Sequence, residues 1–424
     1  MQISHIESFW RLIKSDFVRG HNVDKVIVVF GRSGHHTSLR PISLGLADGF
    51  RELGQKVAFC DCDDWDSINA CFELFAAGQV AFGIGLNGCG MTWDIEGVGE
   101  VNLYEKYDVP HVSVMLDLPY NKCATGMEKP CARHIVTLLD YSALEYMQYA
   151  YPDKAANAIF LPLAGMEYKD GKGIFDVAEK PYDVVVSAGT WGMNWGEENL
   201  PRQWHENGTN RHIANILDDA ADYLESNADN VLPALKLALA SRGMLGEDYL
   251  RKMLPYCWDL LLYIKSYRRI KAVELLVRND IPVDVFGGGW EKVAFADKLK
   301  LHGPISYEES LHVASQAKII FQDQAEFNHG AHDRVFTGML NGAVVVSEFS
   351  RYLADEFEDG RDLFLFDWQD GERQVQVINE LLTDESKRLA AAVSAYGKAD
   401  RRHRWQHRAE RILETVNVLY DIEV

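Results

Sequence analysis

Runs of β-branched residues that do not alternate with polar ones constrain this chain most. Lys25-Val26-Ile27-Val28-Val29-Phe30, Tyr182-Asp183-Val184-Val185-Val186-Ser187-Ala188 and Ala343-Val344-Val345-Val346-Ser347 are of this kind. A strand wetted on one face alternates, whereas a run without alternation is covered on both faces, as in a parallel sheet between helix layers. Further strands are expected at Lys56–Cys60, Val80–Gly85, His111–Leu116, His134–Leu138, Ala158–Leu161, Val283–Phe286, Ala317–Phe321 and Leu363–Phe366, with helical segments between most of them. That alternation predicts the α/β class, with Rossmann-like parallel sheets.

At 424 residues the chain is long for a single core, so two domains are expected. The charged, glycine-bearing segment Lys169–Lys180 reads as the linker. The expected division is 1–175, 176–400 and a C-terminal helix over 401–424, with a helical insertion at about 210–278 broken near Gly243 and Pro255. Lys and Arg total 43 against 63 Asp and Glu, a formal net charge of −20 without a long basic stripe, which argues against nucleic acid or an anionic membrane as partner. The patch Arg401-Arg402-His403-Arg404 reads as a solvated helix face beside a core Trp405. No run of about 18 apolar residues suggests a membrane span, and the charged amino terminus lacks the pattern of a signal peptide. A cytoplasmic protein is expected. Seven cysteines without paired CxxC spacing read as idle or buried thiols rather than a zinc site or a disulfide framework.

The most informative stretch for function is Phe327–Leu353. The polar loop Asn328-His329-Gly330-Ala331-His332-Asp333 opens onto a short helix beginning at Arg334, and Asn341-Gly342 stops that helix before a buried strand. A helix N-terminus offers unpaired N–H groups and a partial positive charge to an anion. Gly330 would admit a ligand to the backbone, and His332 and Arg334 would add side-chain donors. The other reading is an ordinary helix start capped by Asp333. Two more glycine-bearing loops follow strands: Gly189-Thr190, and Gly287-Gly288-Gly289-Trp290, where Trp290 either covers a ring of a ligand or plugs the core. Arg268 and Arg269, read near a helix start, are phosphate candidates, with a surface ion pair as the other reading for one of them. The loop after the first strand, Gly31-Arg32-Ser33-Gly34-His35-His36, is not a dinucleotide fingerprint.

The string GAHDRVFTGMLNGAVVVSEFSRYLADEFEDG, 330–360, resembles the carboxy-terminal signature of bacterial GT-B glycosyltransferases of the spore-maturation (CgeB-type) branch. DVPHVSVMLDLPY, VTLLDYSALEYMQYAYPDKAANAIFLPLAG, YDVVVSAGTWG, IPVDVFGGGW, HGPISYEE and HRWQHRAERIL are similar to that family's strings in the same order, from about residue 105 onward. The resemblance implies two Rossmann-like domains facing each other across a cleft, the first on the acceptor side and the second binding a nucleotide sugar. It places Gly189, Thr190, Arg268, Gly287, Gly288, Trp290, Ile305 (through its backbone), His329, Gly330, Ala331, His332, Asp333 and Arg334 around the donor. Two glutamates with seven residues between them, present in many retaining enzymes of this fold, fall here on His329 and Thr337.

Such an enzyme must hold a diphosphate, stabilise it as it leaves and, if inverting, deprotonate an acceptor hydroxyl. Asp61-Cys62-Asp63-Asp64 lies away from the family strings and reads as structural, so a metal-free diphosphate site with no cofactor is expected. The resemblance implies a nucleotide-sugar donor, a UDP-sugar in preference, and a glycan or protein acceptor. Asp117, which ends a strand before Leu118-Pro119, is the first candidate for the base, and His35 and His36 are rivals. A sugar-nucleotide epimerase, or a binding protein that has lost turnover, fits the same fold.

Overall fold

The computed structural model describes residues 25–33, 39–95, 99–121, 125–129, 131–170, 175, 180–190, 202–367 and 370–422. His35 and His36 lie outside these residues. The chain divides into two compact units, one of residues 1–138, 151–161 and 404–424, the other of 139–150 and 162–403. The segment 139–150 thus belongs to the second unit, and the C-terminal helix to the first.

The first unit contains β1 (Val26–Gly31), β2 (Val57–Asp61), β3 (Val80–Leu86), β4 (Thr92–Ile95), β5 (Gly99–Asn102), β6 (His111–Val114), β7 (His134–Leu138) and β8 (Ala158–Phe160). Six of them form a parallel sheet in the order β2-β1-β3-β6-β7-β8. β1 is buried from Ile27 onward, as its lack of alternation requires. β4 and β5 make an antiparallel hairpin that the sequence reading did not include. The helix Leu39–Glu52 buries Ile42, Leu46, Ala47 and Phe50. Its Gly45 and Gly49 meet Trp405, and a Cβ at either would lie under 3 Å from that residue. Trp405 is therefore a core residue, which anchors the helix Trp405–Tyr420 to this unit.

The second unit contains β9 (Tyr182–Val186), β10 (Val283–Val285), β11 (Lys300–Leu301), β12 (Ala317–Gln322), β13 (Val344–Glu348) and β14 (Phe364–Phe366). All pair in parallel, in the order β11-β10-β9-β12-β13-β14. This is the Rossmann order, in which chain direction across the sheet reverses between the first and fourth strands. Between β9 and β10 the chain inserts the helices Arg211–Ser226, Val231–Ser241, Glu247–Met253 and Cys257–Arg278. The helix Asp333–Leu340 buries Val335, Phe336, Met339 and Leu340 in a core shared with Ile320, Val345, Phe357, Ala395 and Ala399. Among the described residues no helix is long and apolar enough to cross a membrane.

Candidate functional site

In an open parallel sheet, ligands sit outside the carboxyl ends of the strands where the strand order reverses. In the second unit that place lies beyond the ends of β9 and β12. β9 runs into Ser187-Ala188-Gly189-Thr190, and the loop after β10 closes on it: the Thr190 N–H donates to the Gly288 carbonyl at 3.0 Å. A Cβ on Gly287 would lie 2.3 Å from the Ala188 oxygen. Gly289, at φ 91°, would bring one to 2.1 Å from the Thr190 hydroxyl. These two glycines serve the approach of one loop to the other. Gly288 is the open one, its nearest neighbour being a Pro304 ring carbon at 3.7 Å. Trp290 is fully buried and its indole N–H donates to the Ala188 carbonyl at 2.7 Å. It plugs the core and pins the β9 exit, so the expectation that it covers a ligand ring is corrected.

Charge gathers at the same edge. The helix Cys257–Arg278 buries Lys265, Arg268 and Arg269, spaced so that they share one face. Lys265 pairs with Glu326 at 2.7 Å, and Arg269 grips both oxygens of Asp323 at 2.8 and 3.1 Å and donates to the Gly189 carbonyl. Burial alone would raise the Asp323 and Glu326 carboxyls, but Arg269 and Lys265 outweigh it and hold both below the usual range. Arg268 is fully buried, 3.4 Å from Glu348 and donating to the Leu224 and Asn227 carbonyls. It secures the inserted helices to the sheet. Neither arginine forms a surface ion pair, and the assignment of Arg268 to the donor is corrected, because its guanidinium is sealed from solvent.

Arg334 differs from the other three cations. Its Nη1 donates to the Ser187 carbonyl, and among the described residues no carboxylate lies within salt-bridge distance, whereas each of the other three has one. Burial and then Arg269 lower its pKa from the usual arginine value. Among the described residues the fully buried Thr190 hydroxyl has no hydrogen-bond partner. A half-buried cation and a hydroxyl with unused hydrogen-bonding capacity thus stand on the two sides of the strand-order reversal, the arrangement an anion would complete.

The loop before Arg334 is held by the segment 139–142. Asp140 is fully buried and accepts from the His329 N–H at 2.7 Å and the Ser142 N–H at 2.8 Å. Gly330 bridges to Asp140, and a Cβ there would fall 1.9 Å from the Leu139 oxygen. Gly330 is therefore required by backbone packing and leaves no opening for a ligand. Ala331 is buried in the core, whereas the His329 side chain is exposed. The N-cap of the helix is His332, not Asp333. Its Nδ1 accepts from the Arg334 N–H at 3.4 Å, while Asp333 is the first helical residue and pairs with His332. Burial would raise the Asp333 carboxyl, but His332 and Arg334 keep it below the usual range. Thr337 faces inward and accepts from the Met166 N–H at 3.3 Å. Ile305 packs half-buried on the same core.

In the first unit, Asp117 follows β6, half-buried, and accepts from the Asn121 amide at 3.0 Å. Asp64 caps the helix Trp65–Ala76, and Asp61 accepts from Ser33, Arg40 and the Asp63 N–H, structural roles for that cluster. Lys265, Asp323, Glu326 and Asp140 were not singled out from the sequence. Three basic residues at helical spacing, and Asp-Gln-Ala-Glu directly after a buried strand, were the signals for the first three.

Residues 268–414 match the model of a family described as glycosyl transferase-like, a stretch that includes β12, β13 and the helix Asp333–Leu340. No curated protein sequence matches the chain. Anabaena Alr3699/HepE in complex with UDP and glucose is similar in structure at 11% identity, over 93% of this chain and 100% of its own, with a TM-score of 0.49. AviGT4, a glycosyltransferase involved in avilamycin A biosynthesis, is similar at 11% identity, over 93% and 98%, with a TM-score of 0.49. WaaG, a glycosyltransferase involved in lipopolysaccharide biosynthesis, is similar at 12% identity, over 93% and 100%, with a TM-score of 0.45.

Proposed function

We propose that this protein is a cytoplasmic glycosyltransferase of the GT-B class, akin to the spore-maturation branch, that moves a sugar from a nucleotide-diphosphate donor to a glycan or protein acceptor without a metal. The observation that carries this reading is Arg334, a cation without a carboxylate, beside the β9 exit where the strand order reverses. The match of residues 268–414 to a glycosyl transferase-like family supports it. In this reading the diphosphate lies against the half-buried guanidinium of Arg334 and passes close to Gly288, where the backbone leaves room. Each charge-assisted bond would contribute about 1.5–3 kcal/mol. As the sugar leaves, negative charge builds on the diphosphate, so a fixed cation there stabilises the transition state more than the ground state. Lys265, Arg269, Asp323 and Glu326 keep the surrounding framework rigid and neutral. Asp117 is assigned as the base for the acceptor hydroxyl.

The test is a calorimetric panel of UDP-, GDP-, ADP-, CMP- and dTDP-sugars, UDP-sugars first, followed by assay of nucleotide release with and without chelator. Binding of one donor class with chelator-insensitive release supports the reading. An epimerised product formed without acceptor would replace it with the epimerase, and binding without any release would leave a binding protein.

A further inference from the structure

The described cysteines are all free thiols, and two of them differ from the rest in placement. Cys62 follows the carboxyl end of β2, and Cys89 sits in the turn after β3, so they flank the end of β1, which lies between those strands. Their sulfurs are 3.5 Å apart across 27 residues of sequence. Cys60 and Cys71 are buried, whereas Cys62 and Cys89 are half-buried. Arg32, just past β1, is mostly exposed, bonds to Asp63 at 3.1 Å, and places its charge beside both thiols.

We infer that Cys62 and Cys89 form an oxidisable dithiol, a site of reversible disulfide modification in the first unit that is independent of the proposed transfer reaction. The two thiols are differentiated as the chemistry requires. Hydrogen bonds from Cys60 and Cys89, and then Arg32, bring the Cys62 thiol down to about 5, against burial and Asp61, which oppose it. Its hydrogen bond to Cys62, then burial, pushes the Cys89 thiol up. With hydrogen peroxide as oxidant, the Cys62 thiolate attacks one oxygen. An S–O bond forms, the O–O bond breaks, and the departing hydroxide takes a proton to become water. Cys89 then attacks the sulfenic sulfur of Cys62. The S–S bond forms, the S–O bond breaks, and hydroxide leaves as water with the Cys89 proton. Two thiols are oxidised and one peroxide is reduced to two waters.

The backbone holds the Cys89 side of the pair in place. A Cβ at Gly85 would lie 2.0 Å from the Cys89 carbonyl oxygen, so the Cys89 backbone is already seated on β3, and the turn closes with the Cys89 N–H on the Leu86 carbonyl at 2.9 Å. The sulfurs need to approach to about 2.05 Å. In the same turn, Asn87 accepts from the Leu116 N–H at 2.8 Å, which holds the turn to the end of β6.

The test uses the full chain, reduced, exposed to a small excess of hydrogen peroxide, alkylated with iodoacetamide and mapped without reduction by mass spectrometry. The expected result is loss of two hydrogens from the intact mass and one cross-linked peptide joining Cys62 to Cys89, reversed by dithiothreitol. Cys89→Ser should instead leave Cys62 as a sulfenic acid trapped by dimedone. The proposal is overturned if the wild-type chain gives no Cys62–Cys89 peptide, whether both thiols stay alkylated or Cys62 proceeds to the sulfinic acid. That reading of the wild-type chain does not depend on any variant folding.

Discussion

Arg334, Arg268 and Trp290 were read together as donor contacts, and the structure separates them by what each side chain already holds. Arg334 has no carboxylate within salt-bridge distance among the described residues, so its truncation should weaken nucleotide-sugar binding by about 1.5–3 kcal/mol, roughly ten- to hundredfold. Calorimetry on Arg334→Ala checks this, with the thermal midpoint as control, and Arg334→Lys should recover part of the affinity as a point charge without the fork. Arg268 is spent on Glu348 and on the Leu224 and Asn227 carbonyls. Arg268→Leu leaves a carboxyl buried without its cation and should cost about 3–5 kcal/mol in a urea melt, while folded protein keeps its donor affinity. Trp290→Ala removes a fully buried ring and the bond to the Ala188 carbonyl, with an expected loss of about 3–5 kcal/mol by the same measurement. Residue type and position after a strand pointed to the edge of the sheet. They did not say which arginine was satisfied, because carboxylates such as Glu348, 80 residues away, decide that.

At the scale of elements, strands and the inserted helices were legible because burial on both faces leaves its pattern in the sequence itself. The β4–β5 hairpin and the two-residue β11 were not, being too short for their periodicity to stand out. Gly330 was legible as a special position but for the wrong reason, since the Leu139 oxygen that excludes a Cβ lies far away in sequence. Gly330→Ala should therefore force the loop off the 139–142 segment and lower the thermal midpoint, at a cost of about 1–3 kcal/mol. β6 and β7 carry a second consequence. His111 and His134 are buried in paired register, with Ser113 Oγ 2.8 Å from one ring and 3.3 Å from the other. Burial pushes His111 down to about 3 and His134 well below its ordinary value, and Lys154 acts in the same direction on both. Their folded pKa values lie below the unfolded value of about 6.5, so below that pH the unfolded chain binds protons the folded one refuses. Stability of the first unit should then fall as pH drops from about 6.5 towards 3, and denaturant midpoints at pH 7 and pH 4.5 measure it. His134→Gln should flatten the slope.

For the whole molecule, two parallel sheets followed from the alternation of buried runs and helices, and the Rossmann strand order of the second marks the edge at which the proposed site lies. With a net charge of −20, the proposed anionic donor would have to be held by local groups against the general field, which concentrates the test on a few cations. Strand order was not legible, because it depends on which runs pair across long helical insertions. The segment 139–150, placed by the sequence within the first domain, joins the second unit through Asp140 and Gly330. The central claim is that a nucleotide-sugar diphosphate rests on Arg334 beside the β9 exit. Titration of the nucleotide-sugar panel into the wild-type chain and into Arg334→Ala tests it most directly. The account predicts saturable binding of one donor class to the wild type and at least tenfold weaker binding to a variant with an unchanged melting temperature. No binding by any donor, or equal affinity for both proteins, would contradict it.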